Sequence, residues 1–245
     1  MEGTEQQALE QMQGVDPSMM DPNMMDQTME SVGFIEQIGM YFQDGGMFML
    51  VIAAVGVIGL VIALERFLKL NKLDIDGSSF MNELQRYVLS NDIQGAIRVC
   101  SGSVAALPKV LQSGLKRATQ SMDQVQNAID ATALEVIPKV EKRLNYISLI
   151  ANIATLLGLL GTIFGLIQSF EAVASADPAE KAELLSKGIS TAMLTTAAGL
   201  IVAITLMVIH SVLSNKADRI VNSIDEFAVK LLDLIGTKKE KDQVV

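Results

Sequence analysis

Three long stretches without a single Asp, Glu, Lys or Arg constrain this chain more than any other feature: residues 47–64, 147–170 and 188–213. A segment of about 20 predominantly apolar residues crosses a hydrocarbon layer roughly 30 Å thick. No water is available there, so backbone N–H and C=O groups must pair within the structure itself. Continuous apolar runs do this as helices, whereas barrel strands would alternate in polarity. The expected fold class is therefore all-α: an integral membrane protein with three transmembrane helices. Half of the 245 residues are hydrophobic and tryptophan is absent, in keeping with that reading.

Charge gives the spans a direction. Residues 1–46 hold nine acidic residues and no Lys or Arg, while the rest of the chain balances. Lys and Arg close to span ends mark the cytoplasmic side. Arg66, Lys69 and Lys72 follow the first span, Lys139, Lys142 and Arg143 precede the second, and Lys216 and Arg219 follow the third; residues 171–187 are net acidic. The expectation is a periplasmic N-terminus, a cytoplasmic region at 65–146, a periplasmic loop at 171–187 and a cytoplasmic C-terminal helix and tail at 214–245. The N-terminus has no basic n-region, so the first span is expected to serve as its own targeting signal.

The soluble parts read as helices and tails. Residues 1–30 form an acidic, Met-rich periplasmic tail expected to be disordered. Its stretch DPSMMDPNMMDQTM offers thioethers, which are soft Cu(I) ligands, but no His or Cys accompanies them and a flexible leader is the better reading. Residues 31–44 place Phe34, Ile35, Ile38, Tyr41 and Phe42 on one side of an interfacial amphipathic helix. In the 65–146 region, Phe80, Leu84 and Val88, then Ile93, Ala96, Ile97 and Cys100, follow helical spacing, with Asn91 and Asp92 as caps; a further helix is expected over 111–118 after Pro108. Val125, Ile129, Ala133, Val136, Val140 and Leu144 lead into the second span without a turn signal, predicting one very long helix kinked at Pro138. Ala217, Ile220, Ile224, Phe227, Leu231 and Leu234 continue the third span as a coiled-coil-like stripe. Cys100, the sole cysteine, reads as a small buried residue.

The third run carries four threonines and a serine between Gly188 and His210. Lipid supplies no hydrophobic force that presses helices together, so packing there depends on small residues and on polar groups that find partners. Asn152, Thr155, Gly158, Thr162, Gly165 and Ser169 recur at three- and four-residue spacing in the second run. Thr191, Thr195, Ala198 and Thr205 do so in the third, beside Gly188, Ala192, Thr196, Gly199 and Ala203. Taken singly, such hydroxyls often bond their own preceding turn. Two spans that both present hydroxyl faces are better explained by a shared lining, either a pore or a socket for a polar helix. The candidate lining is Asn152, Thr155, Thr162, Thr191, Thr195 and Thr196; Gly158, Gly161, Gly165 and Gly199 are candidate packing residues. His210, near the inner end of the third span, is a candidate proton exit, although an interfacial histidine is the simpler reading. Glu65 and Arg66 read as an interfacial ion pair or snorkelling anchors. No metal cluster, nucleophile–base set, phosphate loop or basic patch stands out. Neither an enzyme, a cofactor, a metal nor a nucleic-acid partner is therefore expected.

These residues also carry a resemblance. GLLGTIFGLIQSF (158–170), GISTAMLTTAAGLIVAI (188–204) and LERFLKL (64–70) are similar to the signature of the MotA/TolQ/ExbB proton channel family, and three spans place the likeness in its ExbB/TolQ branch. The resemblance implies a homopentameric ring in a Gram-negative inner membrane, surrounding helices of an ExbD/TolR-like single-span partner whose intramembrane Asp takes up and releases protons. Thr162 and Thr196 occupy the positions of that family's lumen-facing threonines. Where the pattern often has glutamate this chain has Thr191, and where it often has proline it has Thr205, so no proton step falls on Thr191 and proton versus sodium is open. The spans contain no carboxylate, so this chain does not relay protons alone. The implied function is the pore ring of an ion-driven motor acting on the envelope; the alternative is an oligomeric scaffold without conduction.

Overall fold

The computed structural model describes residues 46–244. The Met-rich tail and the helix expected at 31–44 lie outside the described residues. Among those described there are seven helices and no strands: α1 (Gly46–Leu73), α2 (Gly77–Leu89), α3 (Ile93–Ser101), α4 (Ala106–Leu115), α5 (Met122–Glu141), α6 (Leu144–Ser175) and α7 (Lys181–Val244). Three helical stretches, containing α1, α6 and α7, are long and apolar enough to cross a membrane.

The membrane helices pack by one rule. Buried positions on α1 are Met49, Ile52, Gly56, Gly59, Ala63, Arg66 and Leu70, alternating steps of three and four. The same alternation runs through Leu144, Ile147, Ala151, Ala154, Gly158 and Gly161 on α6. On α7 it recurs as Ala192, Thr195, then Ala203, Leu206 and, further on, Leu213, Ala217, Ile220 and Ile224. That period favours near-parallel, interdigitating helices. In the apolar halves the inserted residues are mostly Gly and Ala, which lets backbones approach where no hydrophobic force drives them together. Outward positions such as Leu156, Ile201 and Val61 are 64%, 67% and 63% exposed, the surface a bilayer would cover.

α7 is a single 64-residue helix. It begins ahead of the expected span, and α6 runs past its own, so the connection expected at 171–187 narrows to residues 176–180. Beyond the membrane half, α7 supplies Ile220, Ile224, Phe227, Leu231 and Ile235 to a core with Leu84 and Val88 of α2, Cys100 of α3, Leu107 and Leu111 of α4, and Val125 and Ile129 of α5. The extramembrane subdomain is thus built around an extension of a membrane helix.

Local signals explain most helix ends. Asp76 caps α2, accepting from the Ser78 amide at 3.1 Å and from Ser79 Oγ at 2.6 Å. Those bonds hold its carboxyl below the usual carboxylate range. Because the folded value is depressed, the cap's contribution is complete above the unfolded pKa of about 4 and fades as pH falls through the lowered value. The protection of the Ser78 amide, taken against its intrinsic exchange rate at each pH, is expected to fall as Asp76 is protonated in acid, and Asp76→Ala is expected to show that loss already at neutral pH. Asp92 caps α3 in the same manner, through the Gly95 amide at 2.7 Å. α4 starts at Ala106, earlier than the sequence expectation of 111–118, with Pro108 inside its first turn. First-turn amides have no intrahelical acceptor, so proline costs nothing there.

Cys100 is 2% exposed, and burial pushes its thiol up to about 12. The reactive thiolate is therefore scarce at neutral pH. Alkylation at pH 8 is expected to be negligible on the folded chain and complete after denaturation, read by mass spectrometry.

The long helix expected through Pro138 is interrupted rather than merely bent. Pro138 lies inside α5, which ends at Glu141, and the break falls at Lys142–Arg143, where Arg143 has φ 65°. Arg66 is not a snorkelling residue. It is 2% exposed and its Nη2 donates to the Lys139 carbonyl at 3.2 Å and the Val140 carbonyl at 2.7 Å. Glu65 pairs with Lys69 at 2.5 Å and Arg143 at 2.6 Å.

Candidate functional site

The site grows from the contact between α6 and α7, which run antiparallel. A Cβ placed on Gly199 would lie 2.7 Å from the Ala154 carbonyl oxygen and 2.9 Å from Gly158 Cα. One on Gly158 would meet Thr195 O and Thr196 Cα at 3.2 Å, one on Gly161 would meet Thr195 Oγ1 at 2.7 Å, and one on Gly165 would meet Ala192 Cβ at 3.1 Å. Gly158, Gly165 and Gly199 therefore sit where two backbones touch, and Gly161 sits where the Thr195 side chain inserts. α1 adds its own pair, unremarked in the sequence reading: a Cβ on Gly56 would reach Val202 Cγ1 at 3.1 Å and one on Gly59 Ile150 Cγ2 at 3.1 Å. Their three-residue spacing beside Ala63 was the available signal.

Two strips that the sequence reading merged are separate on α6. Gly158 and Ser169 face α7 and are buried, with Gly165 half-buried beside them, while Asn152 and Thr155 are exposed and Thr162 half-buried on the neighbouring strip. Thr195 is corrected by its position. At 2% exposure it lies inside the α6–α7 contact, donating to the Ala192 carbonyl at 2.8 Å, and does not reach the surface of the helix pair. The reason is register: the glycine at 161 leaves a space that only a side chain at 195 fills.

Thr162 and Thr196 come together. Both are half-buried, their hydroxyls contact each other, and both converge on one acceptor, the Gly158 carbonyl, at 3.2 Å from Thr162 Oγ1 and 3.0 Å from Thr196 Oγ1. Each hydroxyl has one proton and two acceptor lone pairs. One proton satisfies the carbonyl, the other serves the hydroxyl–hydroxyl contact, and lone pairs are left over. The pair can donate to an anionic group by redirecting one O–H, or accept from a protonated one, without changing backbone geometry. Its remaining edge is partly exposed at mid-span.

The other candidates stand apart from this pair. Thr155 Oγ1 bonds the Ala151 carbonyl at 3.3 Å, and Thr205, exposed, bonds the Ile201 carbonyl at 2.8 Å. Thr191 is half-buried toward the start of α7, bordering an open cleft of about 340 Å³ with Glu183, Ser186, Lys187 and Ser190. His210 is half-buried more than three helical turns beyond Thr196 on α7.

Comparison with known proteins bears on the same region. The model of the MotA/TolQ/ExbB proton channel family matches residues 103–226, just over half of the chain and the whole of the α6–α7 contact. This chain belongs to that family. Relatives place it on the ExbB/TolQ-like branch of the MotA/TolQ/ExbB family. A biopolymer transport protein ExbB homolog of Methanothermobacter thermautotrophicus is 28% identical over 186 residues, 75% of this chain and 65% of the relative. A biopolymer transport protein of Vibrio cholerae is 43% identical over 76 residues, 31% of this chain and 33% of its own. The Tol-Pal system protein TolQ of Haemophilus influenzae is 31% identical over 99 residues, 39% of this chain and 43% of its own. The chain thus spans 65% or less of the length of these relatives. The MotA/TolQ/ExbB match contains Thr162 and Thr196 but stops short of α1 and of the Glu65–Arg66 pair.

Proposed function

We propose that this chain is the pore-ring subunit of an inner-membrane motor that couples ion flow, protons in the first instance, to mechanical work on the cell envelope. The observation that carries the reading is the hydroxyl pair of Thr162 and Thr196, contributed by two helices and gathered on the Gly158 carbonyl. A charge in the membrane needs polar partners that lower its cost without holding it. Hydroxyls that both donate and accept meet that need through a full cycle of protonation. Residues 147–170 and 188–213 contain no carboxylate, so the titrating group comes from a partner: an ExbD/TolR-like single-span protein with an intramembrane Asp. Several copies of this chain, five by the family resemblance, would surround that partner. The membrane field supplies about 2.3 kcal/mol per charge per 100 mV, enough to bias one rotational step for each ion passed. The placement is the inner membrane of a Gram-negative cell, with the N-terminus periplasmic and the α2–α5 subdomain and C-terminus cytoplasmic, as the basic residues at the span ends support. The names of the relatives, biopolymer transport and the Tol-Pal system, support an envelope process as the output.

The test is ion flux in vesicles holding this chain co-purified with its single-span partner, under an imposed potential. Flux that vanishes when the partner's Asp is changed to Asn is the expected result. A complex that conducts equally with Asn, or that forms with no acidic single-span protein, overturns the reading.

A second reading, a scaffold without conduction, is favoured by one observation. The Thr155, Thr162, Thr195, Thr205 and Ser169 hydroxyls all bond carbonyls of their own helix. Under it, no flux accompanies activity in the same vesicles.

A further inference from the structure

Arg66 occupies an unusual place. It falls on the buried stripe of α1, where every other residue from Met49 to Leu70 is apolar, and its side chain is 2% exposed. A guanidinium withdrawn from water is costly unless its donors are used. Nη2 bonds the Lys139 and Val140 carbonyls, while Nε has no partner. In an uninterrupted α-helix those two carbonyls would receive the amides of Arg143 and Leu144, four residues further on. The chain leaves helical geometry at Lys142 (ψ 133°), which turns the next amide away from the helix, and Arg143 follows at φ 65°. The guanidinium therefore stands in for the two amide donors that the break withdraws. Next to it, the Glu65 carboxylate holds the Arg143 side chain itself at 2.6 Å. Two adjacent residues of α1 grip both sides of the interruption.

The residues around the break do not demand it. Arg143 is neither Gly nor Asn, the types that enter the left-handed region readily, and no glycine lies between Gly114 and Gly158. Pro138 removes its own amide and disturbs the turn before it, yet α5 continues through it to Glu141. The side chains that meet the break come from outside it, from α1. We propose that Glu65 and Arg66 form a latch, and that the α5–α6 junction is a two-state hinge. With the guanidinium engaged, the chain is broken at Lys142–Arg143; with it withdrawn, residues 139–146 close into continuous helix and α5 changes its angle to the membrane bundle. The unpartnered Nε leaves the engaged state short of one hydrogen bond, which favours a latch that can open. The inference concerns how the extramembrane helices are set against the spans, and it stands whether or not the bundle conducts ions.

The experiment uses the full chain in lipid, with spin labels at two exposed positions on either side of the break, Asp130→Cys and Leu156→Cys, and with buried Cys100 left in place. A straight helix would separate these positions by about 39 Å along its axis. The parent is expected to give a shorter label distance and fast amide exchange at Arg143 and Leu144. Arg66→Leu is expected to lengthen the distance toward the straight-helix value and to slow exchange at those two amides at least tenfold. Adding Arg143→Gly to it, which removes the penalty of positive φ, is expected to restore the short distance. Arg66→Lys, keeping the charge but not the fork, is expected to fall between. An Arg66→Leu chain with the parent's distance and exchange, or with faster exchange across 139–146, overturns the proposal, since Arg66 would then only cap a break set elsewhere. Should Arg66→Leu fail to accumulate, Arg66→Lys and Glu65→Gln decide by the same two readouts, and no change in either overturns it.

Discussion

Valine at position 162 or 196 is expected to reduce ion-driven flux about 100-fold while leaving the assembly intact. The swap keeps the β-branch and nearly the same volume, and removes only the hydroxyl. What the fold loses is one hydrogen bond to a carbonyl that keeps a second donor, about 1 kcal/mol. What a passing charge loses is larger. A hydrogen bond to an ionised group contributes roughly 1.5–3 kcal/mol, and each 1.4 kcal/mol is about tenfold. Because both hydroxyls share the Gly158 carbonyl and each other, the double variant is expected to cost little more than either single one, as for groups that act as a unit. Serine at either position restores most of the flux. Flux in vesicles and oligomer size in detergent separate the outcomes. Valine variants that dissociate, or that conduct as the parent does, assign the pair to packing alone.

The second large effect lies at Gly199. A valine there is expected to destabilise the α6–α7 contact by at least ~3 kcal/mol and to depress the yield of folded protein. Its Cβ would stand 2.7 Å from a carbonyl oxygen and 2.9 Å from a Cα, and neither backbone atom can move aside. The helices would have to part, and the buried residues Ala192, Thr195 and Ala203 would lose contact together. Gly59→Ala is the contrast. Its Cβ approaches Leu206 Cδ1 at 2.6 Å, the far end of a flexible side chain, so a rotamer change relieves it at about 1 kcal/mol. Thermal unfolding in one detergent, compared across the three chains, measures both. Equal midpoints for Gly199→Val and the parent would contradict the close packing.

Much of this was legible in the residues. Three uncharged apolar runs leave a helix as the only way to satisfy the backbone in lipid, so span number and fold class follow from local physics. Small residues at steps of three and four announced the α6–α7 contact, and Asp92 announced its cap. The pairing of Thr162 with Thr196 was indicated only as shared membership of a polar lining. Spacing along one helix says which residues share a face, but not which residue of a second helix stands opposite, and the register between helices separates a buried Thr195 from a half-buried Thr196.

Sequence alone therefore determined that this chain is a three-span helical membrane protein, since burial in lipid leaves each segment to satisfy its own backbone and each segment can be judged by itself. The tertiary structure decided where the second long helix is interrupted and what Arg66 does. Pro138 is a local signal and pointed four residues too early. The break lies where a guanidinium 74 positions away in the chain reaches the Val140 carbonyl, a contact between distant residues that no local pattern encodes.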